Sequence, residues 1–532
     1  MAGLVGAMFT TACSDSFFEL DNPNQPSSTT FWATESDALM ALTACYDGLQ
    51  DGAMYNDYLD GWKYGFLLRE CGSDNGDFTW SGWMLGSSVK RCTSNTNDEH
   101  FLRYWNANYE VIKRCNLLIQ NIDRVQMDET EIAAFKAEAI ALRGLMYCNL
   151  VSMYRDVPYL TAPLTLAESK ASKNTKEEIV TSVIADLKAN NDKLPTKATA
   201  PVGRMTQEAA NAILGRIALF AGKWQEAVDA YKKVYGTVSL FTYEDGSDPE
   251  QNFRQLFLEP AETCDEVLLS CHYVGPGQGE GQTFSICWSA PMNAVEATMN
   301  LCDDFYCIDG KPISESPLFE GSLEKGAHTK DNPDLARYNN RDPRMKATLM
   351  LPGMSWNGKV YGIPGESALP ATSTCCILKW FIPEKTANEY DGSLDFYIIR
   401  YAEVLLSYAE ALNELGGAAE SDITKLIDEV RARVNMPAVR DAEGTGLTQA
   451  QLREIIRHER RVELAFEDLR LPDLYRWGQF AEGQNRMTHD HEFYGFGAEP
   501  VGTPRGPQDS VWPIPQSEID TNDMLEQHDE WK

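Results

Sequence analysis

No run of about 18 or more apolar residues interrupts the 532-residue chain, so no segment reads as a membrane-spanning helix. Cations are scarce as well: 47 Lys and Arg stand against 79 Asp and Glu, a formal net charge of −32. Such a surface repels phosphate backbones and anionic lipid headgroups, which argues against a nucleic-acid partner and leaves a covalent lipid as the means of membrane contact. No two of the 13 cysteines form a CxxC pair, and the Cys302/Cys307 and Cys375/Cys376 spacings match no zinc site. The chain is long enough to fold without staples, and Cys115 and Cys148 fall at apolar helical positions, so the thiols read as small hydrophobes. HExxH and GxSxG are missing, and "GPGQGEGQ" at 275–282 lacks the Lys-Ser/Thr of a phosphate loop. Carboxylates are so abundant that a glycosidase-like pair could be drawn almost anywhere, and separation in sequence does not give separation in space. The "HDH" at 489–491 could bind a metal, but such a triplet is more often a solvated loop. No catalytic residue, metal or cofactor is expected.

What the chain has in quantity is helical periodicity. From about Asn97 to Val234 apolar residues recur with a 3.6-residue period between short breaks, the pattern of antiparallel helix pairs. In "TKEEIVTSVIADLKANNDKLP", Thr175 and Glu178 form a capping box, Ile179, Val183 and Leu187 line one face, and Pro195 follows the end. In "QEAANAILGRIALFAGKWQEAVDAYKKVY", two short helices meet at Ala221-Gly222-Lys223 with small residues where their axes cross, an arrangement similar to a tetratricopeptide repeat. A second such pair begins at "YIIRYAEVLLSYAEALNELGG", with Tyr401, Leu405, Tyr408, Leu412 and Leu415 as one apolar stripe, and continues through "DITKLIDEVRARVNM". The fold class is therefore mainly α: tetratricopeptide-like helix pairs forming a curved right-handed scaffold, with a loop-rich insertion. A generic helical bundle is the alternative. Residues 236–395 hold 26 of the 63 Gly and Pro, so this insertion carries only short strands or helices. The tail from Arg486 to Pro515 reads as irregular too.

Near the start, "GAMFTTACSDSFFELDNPNQPSSTTFW" places the apolar Ala2–Phe9, then Thr10, Thr11 and Ala12, ahead of Cys13 and a polar, Pro- and Ser-containing stretch. Either Cys13 is an ordinary thiol, or residues 1–12 are the remnant of an export signal and Cys13 is the acylated first residue of a lipoprotein, with 13–30 as its tether. No Lys or Arg precedes Lys63, so the usual positive start of a signal is missing, and Thr10 stands where Leu, Val or Ile is usual. A chain beginning at an internal Met explains the first of these.

Six blocks, "EAIALRGLMYCNLVSMYRDVPYLTAPLT", "GRMTQEAANAILGRIALFAGKWQEA", "NNRDPRMKATL", "RYAEVLLSYAEALNE", "IIRHERRVELAFEDLRLPDLYRWG" and "VWPIPQSEID", together resemble the SusD/RagB family of nutrient-binding surface lipoproteins, in the family's order. The resemblance implies a lipid anchor at Cys13 in the outer membrane and an N-terminal helical region over 31–235. It implies that the 236–395 insertion contributes to the ligand site and that 396–532 forms a C-terminal helical region. It also implies a SusC-like TonB-dependent transporter barrel as partner and an oligosaccharide as cargo. The same architecture binding peptides, or a glycoside hydrolase on a helical frame, are the alternatives. Within "HERRVELAFEDLRLPDLYRW", on a helix capped by Thr448 and Gln451, Arg460, Arg461 and Glu463 sit among apolar residues and read as structural ion-pair partners rather than catalysts.

Glycan recognition calls for flat aromatic faces and a few polar groups in an open groove. "GSDNGDFTWSGWMLGSS" supplies Trp80 and Trp83 with Asp74, Asn75 and Asp77 as polar neighbours, near where the family's early loop reaches its ligand. Packing beneath a surface loop is the competing reading. Trp288 in "FSICWSAPMNAV" and Trp356 in "MSWNGKVYG" are further candidates from the loop-rich third.

Overall fold

A computed structural model describes residues 31–56, 65–78, 86–164, 170–283, 295–356, 358–363, 375–382, 391–495 and 501–532. Its helices are α1 Glu35–Asp47, α2 Gly65–Cys71, α3 Ser87–Lys90, α4 Glu99–Asn121, α5 Glu129–Met153, α6 Lys176–Asn190, α7 Gln207–Phe220 and α8 Trp224–Val234. They continue as α9 Pro249–Arg254, α10 Met299–Asp304, α11 Pro343–Thr348, α12 Tyr401–Leu415, α13 Glu420–Arg433, α14 Val439–Glu443, α15 Gln449–Leu464, α16 Arg470–Arg476, α17 Phe480–Tyr494 and α18 Gln516–Thr521. The strands are short: β1 Gly76–Phe78, β2 Val267–Cys271, β3 Val295–Ala297, β4 Leu349–Met350, β5 Ser355–Trp356, β6 Lys359–Val360, β7 Cys376–Ile377 and β8 Phe396–Arg400. They form two-stranded antiparallel ladders, β1 with β3, β2 with β8, β4 with β7 and β5 with β6. The protein is mainly helical, and all but one of these strands fall inside 236–395 or at its edges.

Local chemistry starts the helices. Thr34, Thr175 and Thr448 each close a capping box, with Asp37, Glu178 and Gln451 returning the bond. Asp248 and Asp342 cap helices whose next residue is Pro249 or Pro343, a residue with no N–H to leave unsatisfied. Helices α4 to α8 pack in sequence order. Their close approach rests on glycine. A Cβ on Gly215 of α7 would lie 2.4 Å from the Tyr231 ring of α8, and one on Gly144 of α5 would lie 3.3 Å from Val183 of α6. Gly222 turns the chain between α7 and α8 at φ +70, a conformation that costs most side chains energy.

Two expectations are corrected here. Helix α12 is not a one-faced stripe: Leu415 is 41% exposed, while Ala402, Leu406 and Ala409 are fully enclosed. The helix is packed on several sides by α8, α13 and α15, so a single apolar face understates its burial. The region from Arg486 is not irregular at its start, because α17 carries the chain helically to Tyr494 and includes the "HDH" residues.

Beneath α15 lies a continuous buried ionic cluster. Arg344 meets Asp342, Glu459 and Glu463; Glu459 also accepts from Arg431 at 2.8 Å. Glu463 joins Arg400 and Arg433, both of which reach Glu266, and Glu467 bridges Arg400 to Lys379. Five cations thus face five carboxylates, each 6% exposed or less. Charge balance of this kind is what lets ions stay charged out of water. The structural reading of Glu463, Arg460 and Arg461 is borne out: Arg460 binds Asp473, and Arg461 binds Asp74 and Asp304.

Candidate functional site

The residues between α2 and β1 form a sharply folded turn held from below by the C-terminal helices. Asp74 is fully buried and accepts from Arg470 Nε at 2.7 Å and Nη2 at 3.0 Å and from Arg486 Nε at 2.6 Å, with Arg461 at 3.4 Å. Burial alone would hinder its ionisation, but the three guanidinium groups hold its carboxyl well below the usual range. Asn75 donates to Glu70 at 3.1 Å and accepts from Arg461 Nε at 3.1 Å. Asp77 pairs with the buried Lys90 and with His491 Nε2 at 3.1 Å. Burial, reinforced by Lys90, pushes His491 down to about 4, so the imidazole is neutral at pH 7 and serves Asp77 as an N–H donor.

This corrects the expectation that Asp74, Asn75 and Asp77, as polar neighbours of Trp80 and Trp83, face a glycan. Their exposures are 0%, 1% and 7%, and their side chains are occupied by other parts of the chain. They are struts of the platform. Trp80 and Trp83 themselves lie outside the described residues, as do Trp288 and Cys13. Trp356 lies in the β5–β6 hairpin, opposite Lys359, on a ladder separate from β1–β3.

The β1–β3 register supplies what the sequence could not. Gly76 opposes Ala297, Asp77 opposes Glu296 and Phe78 opposes Val295. In an antiparallel ladder the last pair puts the exit of one strand beside the entrance of the other. Phe78, which leads into 79–85 with Trp80 and Trp83, is therefore the direct neighbour of Val295, which follows 284–294 with Trp288. Thr298 locks the other end, donating its Oγ1 to Asp74 O at 2.7 Å and its N–H to Asn75 O at 2.9 Å. Two further pairs join stems distant in sequence: Thr283 N–H donates to Asn56 Oδ1 at 3.2 Å, and Gln282 and Gly392 exchange backbone bonds of 2.9 Å.

Over residues 273–531 the chain matches the family model described as SusD family, and over 37–219 one described as starch-binding associating with outer membrane. The chain belongs to the SusD/RagB family. Among SusD-like relatives, SusD-like protein P2 of Formosa agariphila is 26% identical over 93% of this chain and 92% of its own length. A SusD-like carbohydrate binding protein from Bacteroides fragilis superposes with a TM-score of 0.78 at 26% identity, covering 93% of this chain and all of that one. A structure described as a laminarin binding SusD-like protein superposes with a TM-score of 0.67 at 23% identity, covering 93% and 99% of the two chains.

A second polar cluster of this SusD-family chain, built from residues far apart in sequence, went unnoticed in the sequence. His272 Nδ1 lies 2.5 Å from Asp395 Oδ2, and Ser270 Oγ lies 3.5 Å from His272 Nε2, beside a cleft of about 140 Å³. The hydroxyl also stands 3.4 Å from the same Asp395 oxygen. In a nucleophilic triad the imidazole separates serine from carboxylate. Here both converge on one oxygen, an arrangement that ties β2 to the stem of β8. The bond to Asp395 raises the His272 pKa, and burial pushes the neighbouring Glu262 up to about 7. Among the described residues no group of three or more His, Cys, Asp and Glu is placed to hold a metal ion.

Proposed function

We propose that this protein binds oligosaccharide at the cell surface without cleaving it and passes it to a SusC-like TonB-dependent transporter in the outer membrane. Membership of the SusD family supports the reading, as do solved neighbours described as carbohydrate binding and laminarin binding. The observation that carries it is the Phe78–Val295 pair, which roots the Trp80/Trp83 and Trp288 segments side by side on a floor fixed by Asp74. Aromatic faces offered from one rigid root suit sugar C–H surfaces. Trp356 is kept as a further contributor, and Cys13 as the acylation point that holds the molecule to the outer membrane.

Incubation of the purified protein with plant, mucin and starch glycans tests the proposal. Saturable binding with no new reducing ends is the expected result. Release of product would favour a hydrolase, and saturable peptide binding with no glycan response would change the cargo. Mass spectrometry of the membrane-extracted protein should find acyl chains on Cys13, and Cys13→Ser should release the protein from the membrane fraction.

A further inference from the structure

Away from the β1–β3 platform, α4, the connection after α5 and the C-terminal segment enclose a half-open groove of about 420 Å³. Its walls are mostly apolar and include Trp105, Tyr109, Leu117, Leu160, Leu164 and Leu525. The Tyr109 hydroxyl is tied to Pro158 O at 2.7 Å, so the aromatic wall is fixed. Leu117 and Leu164 nevertheless remain 38% and 43% exposed. The slot is thus fixed and apolar, with two of its leucines partly in water.

The chain itself contains a matching segment. Between Cys13 and Phe31 the sequence is polar apart from prolines and a single apolar island, Phe17, Phe18 and Leu20 in "SDSFFELD". The described residues begin at Phe31, and Gln126 N–H, just past the end of α4, donates to Ala33 O at 3.3 Å. The chain ahead of Phe31 is thus joined near the end of the helix that forms one wall. The 13 Cα–Cα steps from Phe18 to Phe31 reach at most about 43 Å, enough to turn back along α4.

We infer that the groove is the docking site of the protein's own segment Ser16–Leu20, with Phe17 and Phe18 entering between the α4 aromatics and Leu164. Three residues, Ser14 to Ser16, then stand between Cys13 and Phe17, at most about 13 Å of extended chain. On the lipoprotein reading, this face is then held toward the membrane and the SusD-family platform has a fixed orientation instead of swinging on a long leash.

The test uses the full acylated chain reconstituted in bilayer nanodiscs, with p-benzoylphenylalanine in place of Phe18, illumination and peptide mapping. The expected result is an intramolecular cross-link to residues 105–117, 158–164 or 518–525. Cross-links only to lipid, only to other segments, or none at all overturn the inference. Adding Leu117→Asp and Leu164→Asp, both at exposed positions, should reduce the groove cross-link about ten-fold, the factor expected when apolar burial worth one such decade is lost. The melting temperature should be unchanged. A groove cross-link persisting at parental yield overturns it too.

Discussion

Replacing Glu459 by Gln removes one charge from the buried cluster while keeping its shape. Glu459 is 1% exposed and accepts from Arg344 Nη1 at 2.6 Å and Arg431 Nε at 2.8 Å. Burial opposes its charge, but the two arginines hold its carboxyl at about 2, against an ordinary value of 4.5. A carboxyl with a depressed folded-state pKa stabilises the fold above its unfolded pKa, and that contribution disappears as pH falls through the folded value. The separation corresponds to roughly 3 kcal/mol at pH 7, declining to about 1 kcal/mol near pH 3. Leaving the arginines short of one counter-charge gives a similar expectation of about 3–5 kcal/mol for breaking a buried pair. Urea unfolding of parent and Glu459→Gln, followed by far-ultraviolet circular dichroism, should therefore show a wide gap at neutral pH that narrows through pH 4.5 toward pH 2. A neutral-pH gap below about 1 kcal/mol, or one independent of pH, would refute the claim that paired charge at this position stabilises the fold.

Three other substitutions separate platform from frame. Trp80→Ala with Trp83→Ala should weaken glycan binding by about 1–3 kcal/mol in isothermal titration while leaving the melting temperature unchanged. Asp74→Asn, which leaves three guanidinium groups around a neutral amide, should lower stability by about 3–5 kcal/mol in chemical denaturation and impair glycan binding as well. Gly215→Ala should cost about 1–3 kcal/mol by forcing Tyr231 aside, measured by thermal melting, with no effect on ligand affinity once folded.

Features decided within a few residues were legible in the sequence. The boxes at Thr175/Glu178 and Thr448/Gln451 form as the spacing implies, because capping is a local exchange of hydrogen bonds. The turn at Ala221-Gly222-Lys223 was equally readable. Pairing of the charges in "HERRVELAF" followed from their apolar surroundings, but their partners did not. Glu266, Asp342 and Arg400 arrive from segments 63 or more residues away from Glu463. The platform was misread for the same reason. Asp74, Asn75 and Asp77 sit in a Gly- and Ser-rich stretch that looks solvated, and only the return of Arg461, Arg470 and Arg486 from the far end of the chain buries them. The "HDH" triplet has no strong apolar period, so its helix was hidden, and His491 was not seen to face Asp77. The neighbouring Trp80/Trp83 and Trp288 stems depend on a three-residue ladder between segments more than two hundred positions apart, which no periodicity reveals.

That small ladder also has a consequence for the two arms it joins. Because both arms spring from adjoining backbone positions and share an anchored base, either can be lengthened, shortened or recoded without shifting the root of the other. A change of length or sequence in either insert therefore leaves in place the carboxylate of Asp74 and the three arginines that grip it from the far end of the chain.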